Sequence, residues 1–371
     1  MNRKNILLAS LAACTLGLFA WANAHSSPAQ QEYFAVNSSG VSEAALRGAI
    51  DPLFEEASMG ETRALLVMKD GEIIAERYGA GFDSESRLIS WSIAKSITAV
   101  LAGLMVSDGR LVLDAPAPVP AWSQPGDPRG EITLRQLLHM SSGLEHLESG
   151  EPVYDSDTVR MLFLSGAKDM AAYAEARPLS AQPGSQFQYS TATSMILSDI
   201  MTRALTSSED PQVRRDAMMQ FIRGRFIQPL GMSSLTPEFD ARGTLIGGSI
   251  MHATARDYAR FGEFLRRTGE AQGRQILSAR WVDFMRESSP LDPGYGGHIW
   301  LNKERSADAK QVLFPGRGPS SLFACVGHRG QYILISPAQG LTIVRLGISD
   351  EEEQPALRKA LARLVETFPA G

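Results

Sequence analysis

Residues 92–106 read SIAKSITAVLAGLMV, and this stretch anchors the prediction of the fold. Apolar residues fall on almost every side of a helix drawn through it, which is typical of a helix buried inside a protein. Ser107-Asp108-Gly109 follows and places a glycine where helices commonly end. The stretch therefore predicts a buried helix whose polar residues lie mainly in its first turn.

That first turn carries a serine and a lysine three residues apart, Ser92 and Lys95. The spacing puts both side chains on one helix face, where the amine can accept the hydroxyl proton. The positive end of the helix dipole and burial both lower the pKa of a lysine, as a lysine base requires. The backbone N–H of Ser92 is available to a developing oxyanion. The alternative is structural, with Ser92 as a helix cap and Lys95 extending its amine to solvent.

The same spacing recurs at Ser165 and Lys168, so the motif alone is weak. Gly166 and Asp169 flank the second lysine, and this context is typical of a solvated loop or helix end. We therefore assign the candidate chemistry to Ser92 and Lys95.

Composition and missing motifs exclude several classes of function. The chain has 371 residues, 36 Lys and Arg against 41 Asp and Glu, and a net charge of -5, so it lacks the basic excess of a nucleic-acid binder. Its two cysteines, Cys14 and Cys325, cannot build a disulfide framework or a cysteine zinc site. Its histidines lack helical zinc spacing, and it has no glycine-rich nucleotide loop. We expect neither a metal nor a cofactor.

The distribution of patterns predicts a mixed α/β (α+β) protein with an antiparallel sheet and an inserted helical region. Residues 63–69 and 72–78, joined by Asp70-Gly71, read as a β-hairpin, and strand-like runs return near the C-terminus. The patterns between them are mostly helical. We assign residues 41–113 and 241–371 to a sheet domain and residues 114–240 to a helical insertion, with the active site at their interface.

The N-terminus predicts export. A basic start, an apolar run and Ala22-Asn23-Ala24 make residues 1–24 a signal peptide, and residues 25–40 read as a flexible leader. A less favoured alternative is a lipoprotein signal ending at Cys14. No later stretch is apolar for long enough to span a membrane. We expect a protein that is exported, with the periplasm as its location, and that keeps Cys325 as a buried apolar residue.

Several motifs together resemble the penicillin-recognising serine hydrolases. This family includes class C β-lactamases, D-alanyl-D-alanine carboxypeptidases, related esterases and 6-aminohexanoate-dimer hydrolase. Ser92-Ile93-Ala94-Lys95-Ser96 resembles its nucleophile motif. Further likenesses follow in the family's order at ITLRQLLHMSSGL (132–144), PGSQFQYS (183–190), PLGM (229–232) and GGS (247–249). The resemblance runs from about residue 45 to 365 and implies a β-lactamase/transpeptidase-like fold.

The resemblance also implies roles for individual residues. It makes Ser92 the nucleophile, Lys95 the base and Tyr189 a proton shuttle to the leaving group. It matches His328-Arg329-Gly330 to the family's third motif, with His328 and Gly330 meeting the substrate. The backbone N–H groups of Ser92 and Gln331 would then form the oxyanion hole.

Two departures from the β-lactamase pattern bear on the substrate. Thr191, expected to bind substrate, stands where β-lactamases have asparagine, and His328 stands where many members have lysine. Both favour an esterase, peptidase or oligomer amidase that acts on a small amide, ester or short peptide. A β-lactamase or D-Ala-D-Ala carboxypeptidase remains an alternative. A non-catalytic peptidoglycan- or peptide-binding protein of the same fold is an alternative of another class.

Overall fold

The computed structural model describes residues 32–36, 40–55, 57–306 and 309–369. Its strands are β1 (Glu32–Phe34), β2 (Glu61–Lys69), β3 (Glu72–Tyr78), β4 (Leu88–Ile89), β5 (Thr236–Pro237), β6 (Met251–Ala253), β7 (Glu270–Ala271), β8 (Arg274–Gln275), β9 (Trp300–Leu301), β10 (Phe323–Gly327), β11 (Gln331–Ser336) and β12 (Leu341–Ile348). Its α-helices are α1 (Glu43–Ile50), α2 (Pro52–Glu55), α3 (Ile93–Ser107), α4 (Leu134–Leu138), α5 (Asp157–Phe163), α6 (Met170–Glu175), α7 (Thr191–Leu205), α8 (Pro211–Ile222), α9 (Gln228–Leu230), α10 (Ala255–Arg266), α11 (Ala279–Arg286) and α12 (Gln354–Glu366). Within the described ranges, every helix is too short or too polar to cross a bilayer.

Seven strands form one antiparallel sheet in the order β1-β3-β2-β12-β11-β10-β9. The predicted hairpin is confirmed as β2 and β3, and Asp70 and Gly71 at its turn both have positive φ. Strand β12 pairs with β2, so the hairpin of β2 and β3 and the C-terminal strands join in the middle of the sheet. The predicted mixed α/β class with an antiparallel sheet is therefore confirmed.

Side chains alternate along the strands and fill two apolar layers. On β12, Val344 and Leu346 belong to the larger layer, which contains α3, whereas Leu341 and Ile343 belong to the smaller layer under α1 and α12. Helix α3 lies inside the larger layer, and every residue from Ile93 to Met105 is buried. The prediction of a buried helix is confirmed, and α3 begins directly after Ser92.

Six α-helices, α4 to α9, lie between residues 134 and 230, and that stretch holds none of the strands. Helix α4 begins with a capping box, in which Thr133 and Gln136 make reciprocal side chain-to-backbone bonds. Helix α7 packs on α3, and this contact brings the helical region to the first turn of α3.

The leader departs from its prediction in one place. Glu32–Phe34 form β1 and pair with β3, so this part of residues 25–40 is sheet rather than flexible chain. The backbone of Ala35 also donates to Ile74. The outer edge of β3 offers backbone N–H and C=O groups, and these are the hydrogen-bond partners of residues 32–34. The polar composition of the segment does not reveal this pairing. The predicted signal peptide, with Cys14, lies outside the described residues.

Candidate active site

Ser92 occupies a strained turn at the start of α3. Trp91, directly before it, has φ +43°, a conformation that costs free energy for a residue with a bulky side chain. Ser92 itself is helical, with φ -67° and ψ -3°, and its hydroxyl makes no capping bond to the helix. The capping alternative is therefore wrong, and the half-buried hydroxyl is left for other partners.

Lys95 lies one turn further along α3 and is buried, with 1% of its surface exposed. Its Nζ lies 2.9 Å from Ser92 Oγ, 2.8 Å from Thr191 Oγ1 and 2.7 Å from the carbonyl oxygen of Gly248. Burial lowers the pKa of Lys95 to about 8, against the opposing effect of Glu148. The alternative of a lysine that extends to solvent is therefore wrong.

The Gly247-Gly248 motif explains one of these contacts. A Cβ at Gly247 would lie 2.4 Å from the hydroxyl oxygens of Thr98 and Ser198, so only glycine allows the loop to lie this close to α3 and α7. The carbonyl of Gly247 accepts from Thr98, and that of Gly248 accepts from Lys95. The motif thus provides a fixed acceptor for the amine.

Thr191, the first residue of α7, lies beside Lys95. Its side chain is buried, and its hydroxyl accepts from Lys95 and donates to Glu148 Oε1 at 2.6 Å. Thr191 therefore contacts the candidate base, and its role in substrate binding stays a prediction. The sequence did not show this arrangement because the partner, Glu148, comes from a loop.

Glu148 is the functional candidate that sequence reasoning missed. Its Oε2 accepts from the backbone N–H of Thr191 at 2.7 Å and from Thr158 at 3.0 Å, and it lies 2.8 Å from His146 Nε2. Burial raises the pKa of Glu148, but Lys95, His146 and Thr191 outweigh it, so the pKa falls well below its usual range. The carboxylate is ionised. No motif in the sequence pointed to it.

Tyr189 lies just before α7 and meets Ser92 and Lys95 as predicted. Its ring centroid lies 4.9 Å from Lys95 Nζ, and Glu148 and Ser92 are the neighbouring groups that act on its phenol. Trp300 stacks on the ring at 5.4 Å and Tyr295 contacts it edge-on at 5.9 Å, so aromatic packing fixes its orientation. Burial, and then Glu148, raise the pKa of Tyr189, which keeps the phenol protonated.

The glycine that lies against the segment leading into α3 is Gly327 rather than Gly330. A Cβ at Gly327, the last residue of β10, would lie 2.4 Å from the carbonyl oxygen of Ser90. A Cβ at Gly330 would instead meet Arg345 and Leu357, on the α12 side of the sheet. Gly330 therefore does not meet the substrate as predicted, and its φ of +83° serves the turn between β10 and β11.

Gln331, the predicted oxyanion donor, does not lie at the edge of the sheet. It pairs with Gly327, so β10 lies between Gln331 and the open edge of the sheet. On that edge Leu322 accepts from the backbone N–H of Asn302, and N–H groups alternate along a strand. Even-numbered residues of β10 therefore turn their N–H groups away from β11. The same alternation turns the N–H of His328 in that direction, and His328 lies past Ala324, the last residue of β10 that pairs with β9.

The His328 side chain is exposed and lies near the nucleophile. Its ring contacts Trp91 edge-on, with 5.4 Å between centroids. Desolvation, and then the neighbouring Arg329, lower the pKa of His328 below its ordinary value. At neutral pH the ring is therefore mainly uncharged.

The second Ser-x-x-Lys pair has no part in this constellation, since Ser165 and Lys168 are exposed. Among the described residues, no group of three or more His, Cys, Asp or Glu side chains is arranged to hold a metal ion. The site instead combines a hydroxyl, a buried amine of lowered pKa, a protonated phenol and outward backbone N–H groups. This set is suited to acyl transfer through a serine.

Comparison with known proteins gives a consistent result. A family model described as Beta-lactamase matches residues 54–367. A 6-aminohexanoate-dimer hydrolase of Paenarthrobacter ureafaciens is 25% identical over 230 residues, which cover 60% of this chain and 56% of that protein. The chain thus spans little more than half the length of this curated relative.

Solved structures share the fold at lower identity. A penicillin-binding protein homolog of Caulobacter crescentus has a TM-score of 0.62 at 17% identity, covering 86% of this chain and 97% of its own. EstCE1, a hydrolase with promiscuous acyltransferase activity, has a TM-score of 0.64 at 18% identity, covering 87% and 98%.

Proposed function

The chain belongs to the beta-lactamase family of serine hydrolases, and on that premise we propose that it cleaves an amide or ester bond through an acyl-enzyme on Ser92. The observation that carries the proposal is the contact of 2.9 Å between Ser92 Oγ and the buried Nζ of Lys95. A base must lie within hydrogen-bond reach of the proton it accepts, with a pKa near the working pH. Lys95 meets both requirements.

In the proposed reaction, Ser92 Oγ attacks the substrate carbonyl carbon while its proton passes to neutral Lys95. The backbone N–H groups of Ser92 and His328 stabilise the negative charge that develops on the carbonyl oxygen. Tyr189 gives its phenol proton to the leaving amine or alkoxide and regains a proton from Lys95. The C–N or C–O bond then breaks, and the acyl group remains on Ser92.

Deacylation reverses these roles. A water molecule takes the place of the leaving group, loses its proton to the Tyr189 and Lys95 network, and attacks the acyl carbon. The hydroxyl of Ser92 leaves with a proton, and the acid product is released. The same groups serve both half-reactions because each begins with a protonated nucleophile held beside the same base.

The substrate proposed is a small amide, ester or short peptide. The curated relative is named for hydrolysis of the 6-aminohexanoate dimer, which makes short amide oligomers the first compounds to test. The stacked Tyr189 and Trp300 and the nearby Tyr295 support an apolar acyl or leaving group beside the nucleophile. We further propose that the protein is exported through residues 1–24, which N-terminal sequencing of the mature protein tests.

The deciding experiment is acylation of the purified protein. Nitrophenyl acetate should give a burst of one nitrophenol per protein, and mass spectrometry should place the acetyl group on Ser92. The variant Ser92→Ala should show neither, whereas Ser165→Ala should show both. The absence of a burst and of any adduct in the wild type would favour the non-catalytic binding protein.

A substrate panel then separates the catalytic alternatives. It consists of short amide oligomers, neutral esters, D-Ala-D-Ala peptides and the cephalosporin nitrocefin. Preferred turnover of nitrocefin would identify a β-lactamase, and preferred turnover of the D-Ala-D-Ala peptide a carboxypeptidase. Turnover of amide oligomers or esters with little nitrocefin hydrolysis is the result we expect.

A further inference from the structure

The carboxylate of Glu148 is surrounded by donors. The backbone N–H and hydroxyl of Thr191 and the hydroxyl of Thr158 all donate to it, at 2.7, 2.6 and 3.0 Å. His146 Nε2 lies 2.8 Å from Oε2 and completes the set. Three of these contacts fall on Oε2 and one, the Thr191 hydroxyl, on Oε1, so toward Thr191 the carboxylate presents only an acceptor and no proton.

This arrangement fixes the direction of the Thr191 hydroxyl. A hydroxyl has one proton, and at Thr191 that proton points to Glu148 Oε1. Toward Lys95 the same oxygen can therefore only accept, at 2.8 Å. The Gly248 carbonyl, at 2.7 Å on another side of the amine, likewise can only accept.

A neutral lysine amine has two N–H donors and one lone pair. With both donors directed to Thr191 and Gly248, the lone pair is left facing Ser92 Oγ at 2.9 Å. We propose that Glu148 is a positioning residue, which acts through Thr191 to aim the lone pair of Lys95 at the Ser92 hydroxyl. The inference rests on the proposed function, because it explains how Lys95 is held as the base.

Without the carboxylate the network has a competing arrangement. The Thr191 proton would then be free to point at Lys95 and occupy its lone pair. Lys95 would donate to Ser92 Oγ instead, so that the serine could no longer pass its proton to the amine. The direction of proton transfer thus depends on an acceptor that touches neither the substrate nor Ser92.

The charges around Lys95 make the effect measurable by pH. The titratable groups that act on it from neighbouring segments are Glu148, Tyr189 and His298, with His146 behind Glu148. Burial raises the pKa of Tyr189 and lowers that of His298 to about 3, so both are neutral near pH 8. Glu148 is then the charge that favours protonated Lys95.

The test compares Glu148→Gln with the wild type in pH profiles of kcat/KM for a nitrophenyl ester. We expect the plateau to fall about 100-fold, the low end of what a positioned base contributes. We also expect the midpoint of the acid limb to move to lower pH, because the carboxylate that favours protonated Lys95 is gone. The matched control is Glu145→Gln, an exposed carboxylate of the same loop, which should change neither quantity.

Each other result overturns the inference. A lower plateau with an unmoved acid limb would indicate a purely structural role for Glu148. An unchanged plateau would show that the base needs no positioning by this carboxylate. If Glu148→Gln fails to fold, the pair Thr191→Ser and Thr191→Val decides. We expect Ser to keep the plateau within about threefold and Val to lose about 100-fold, and equal behaviour of the two refutes the role.

Failure of this inference is distinguishable from failure of the proposed function. If the wild type forms no acyl adduct on Ser92, the proposed function is wrong. If the wild type is acylated on Ser92 but Glu148→Gln and Thr191→Val behave like it, only the role of Glu148 is wrong.

Discussion

The pH dependence of kcat/KM should report the ionisation of Lys95. The proposed reaction needs the neutral amine, and burial lowers the pKa of Lys95 to about 8. The neutral fraction is then about one tenth at pH 7 and about nine tenths at pH 9. We therefore expect kcat/KM to rise about tenfold over this range and to be lost as pH falls through 8.

The perturbation that isolates this effect is Lys95→Arg. Arginine keeps the positive charge and the ability to donate, but it does not lose its proton in this range. The acid limb should therefore vanish, and kcat/KM at pH 9 should fall by about 10²- to 10⁴-fold, the usual contribution of a general base. The matched control is Lys168→Arg in the second, exposed Ser-x-x-Lys pair, which should keep the wild-type profile.

The assay follows release of nitrophenol from a neutral ester between pH 6 and 10, corrected for spontaneous hydrolysis, with circular dichroism to verify that each variant is folded. A neutral substrate removes the contribution of substrate ionisation. A wild-type profile that is flat from pH 6 to 9, or a Lys95→Arg variant that keeps more than a tenth of the activity at pH 9, would refute Lys95 as the base.

Three further changes test other parts of the site. Ser92→Ala should abolish turnover and leave the circular dichroism spectrum unchanged, since its hydroxyl makes no capping bond, and Ser165→Ala should match the wild type in both measurements. Gly327→Ala should lower kcat by at least about 10-fold in steady-state kinetics. The added methyl would lie 2.4 Å from the Ser90 carbonyl and push the sheet edge away from the nucleophile, so an unchanged kcat would contradict the close approach. The kcat/KM ratio of a carboxylate ester to a neutral ester should fall as pH rises through the pKa of His328, which lies below its ordinary value. The variant His328→Lys should make this ratio constant from pH 5 to 8. A flat ratio in the wild type would show that His328 does not sense substrate charge.

The parts of the structure that depend on neighbours in sequence were predictable. The Asp70-Gly71 turn, the Thr133 capping box and the buried helix after Ser92 each follow from a few consecutive residues. The contact of Ser92 with Lys95 belongs to the same class, because both residues lie on one helical turn. Local stereochemistry determines such features, and a single sequence contains it.

The parts that depend on tertiary packing were not predictable. Glu148 reaches Lys95 through Thr191 only because α7 packs on α3 and a loop covers the junction, and no spacing in the sequence encodes this. Strand β10, which ends at Gly327, was not predicted from the sequence. The oxyanion donor was therefore placed on Gln331, at the start of β11, rather than on His328, which directly follows β10.

The departures from ordinary folding rules converge on one place. A positive φ at Trp91 and a buried lysine each cost free energy, and Gly327 lies where a larger residue would collide with a carbonyl. For Lys95 the fall in pKa from 10.5 to about 8 corresponds to about 3 kcal/mol of lost stability, present below pH 8 and absent above the unfolded pKa. Glu148 opposes that cost, since its charge favours the protonated amine. An apolar side chain at position 95 would avoid this cost, so stability alone does not account for a buried lysine there. A buried lysine of lowered pKa beside a serine whose hydroxyl makes no capping bond is the arrangement that a catalytic site requires.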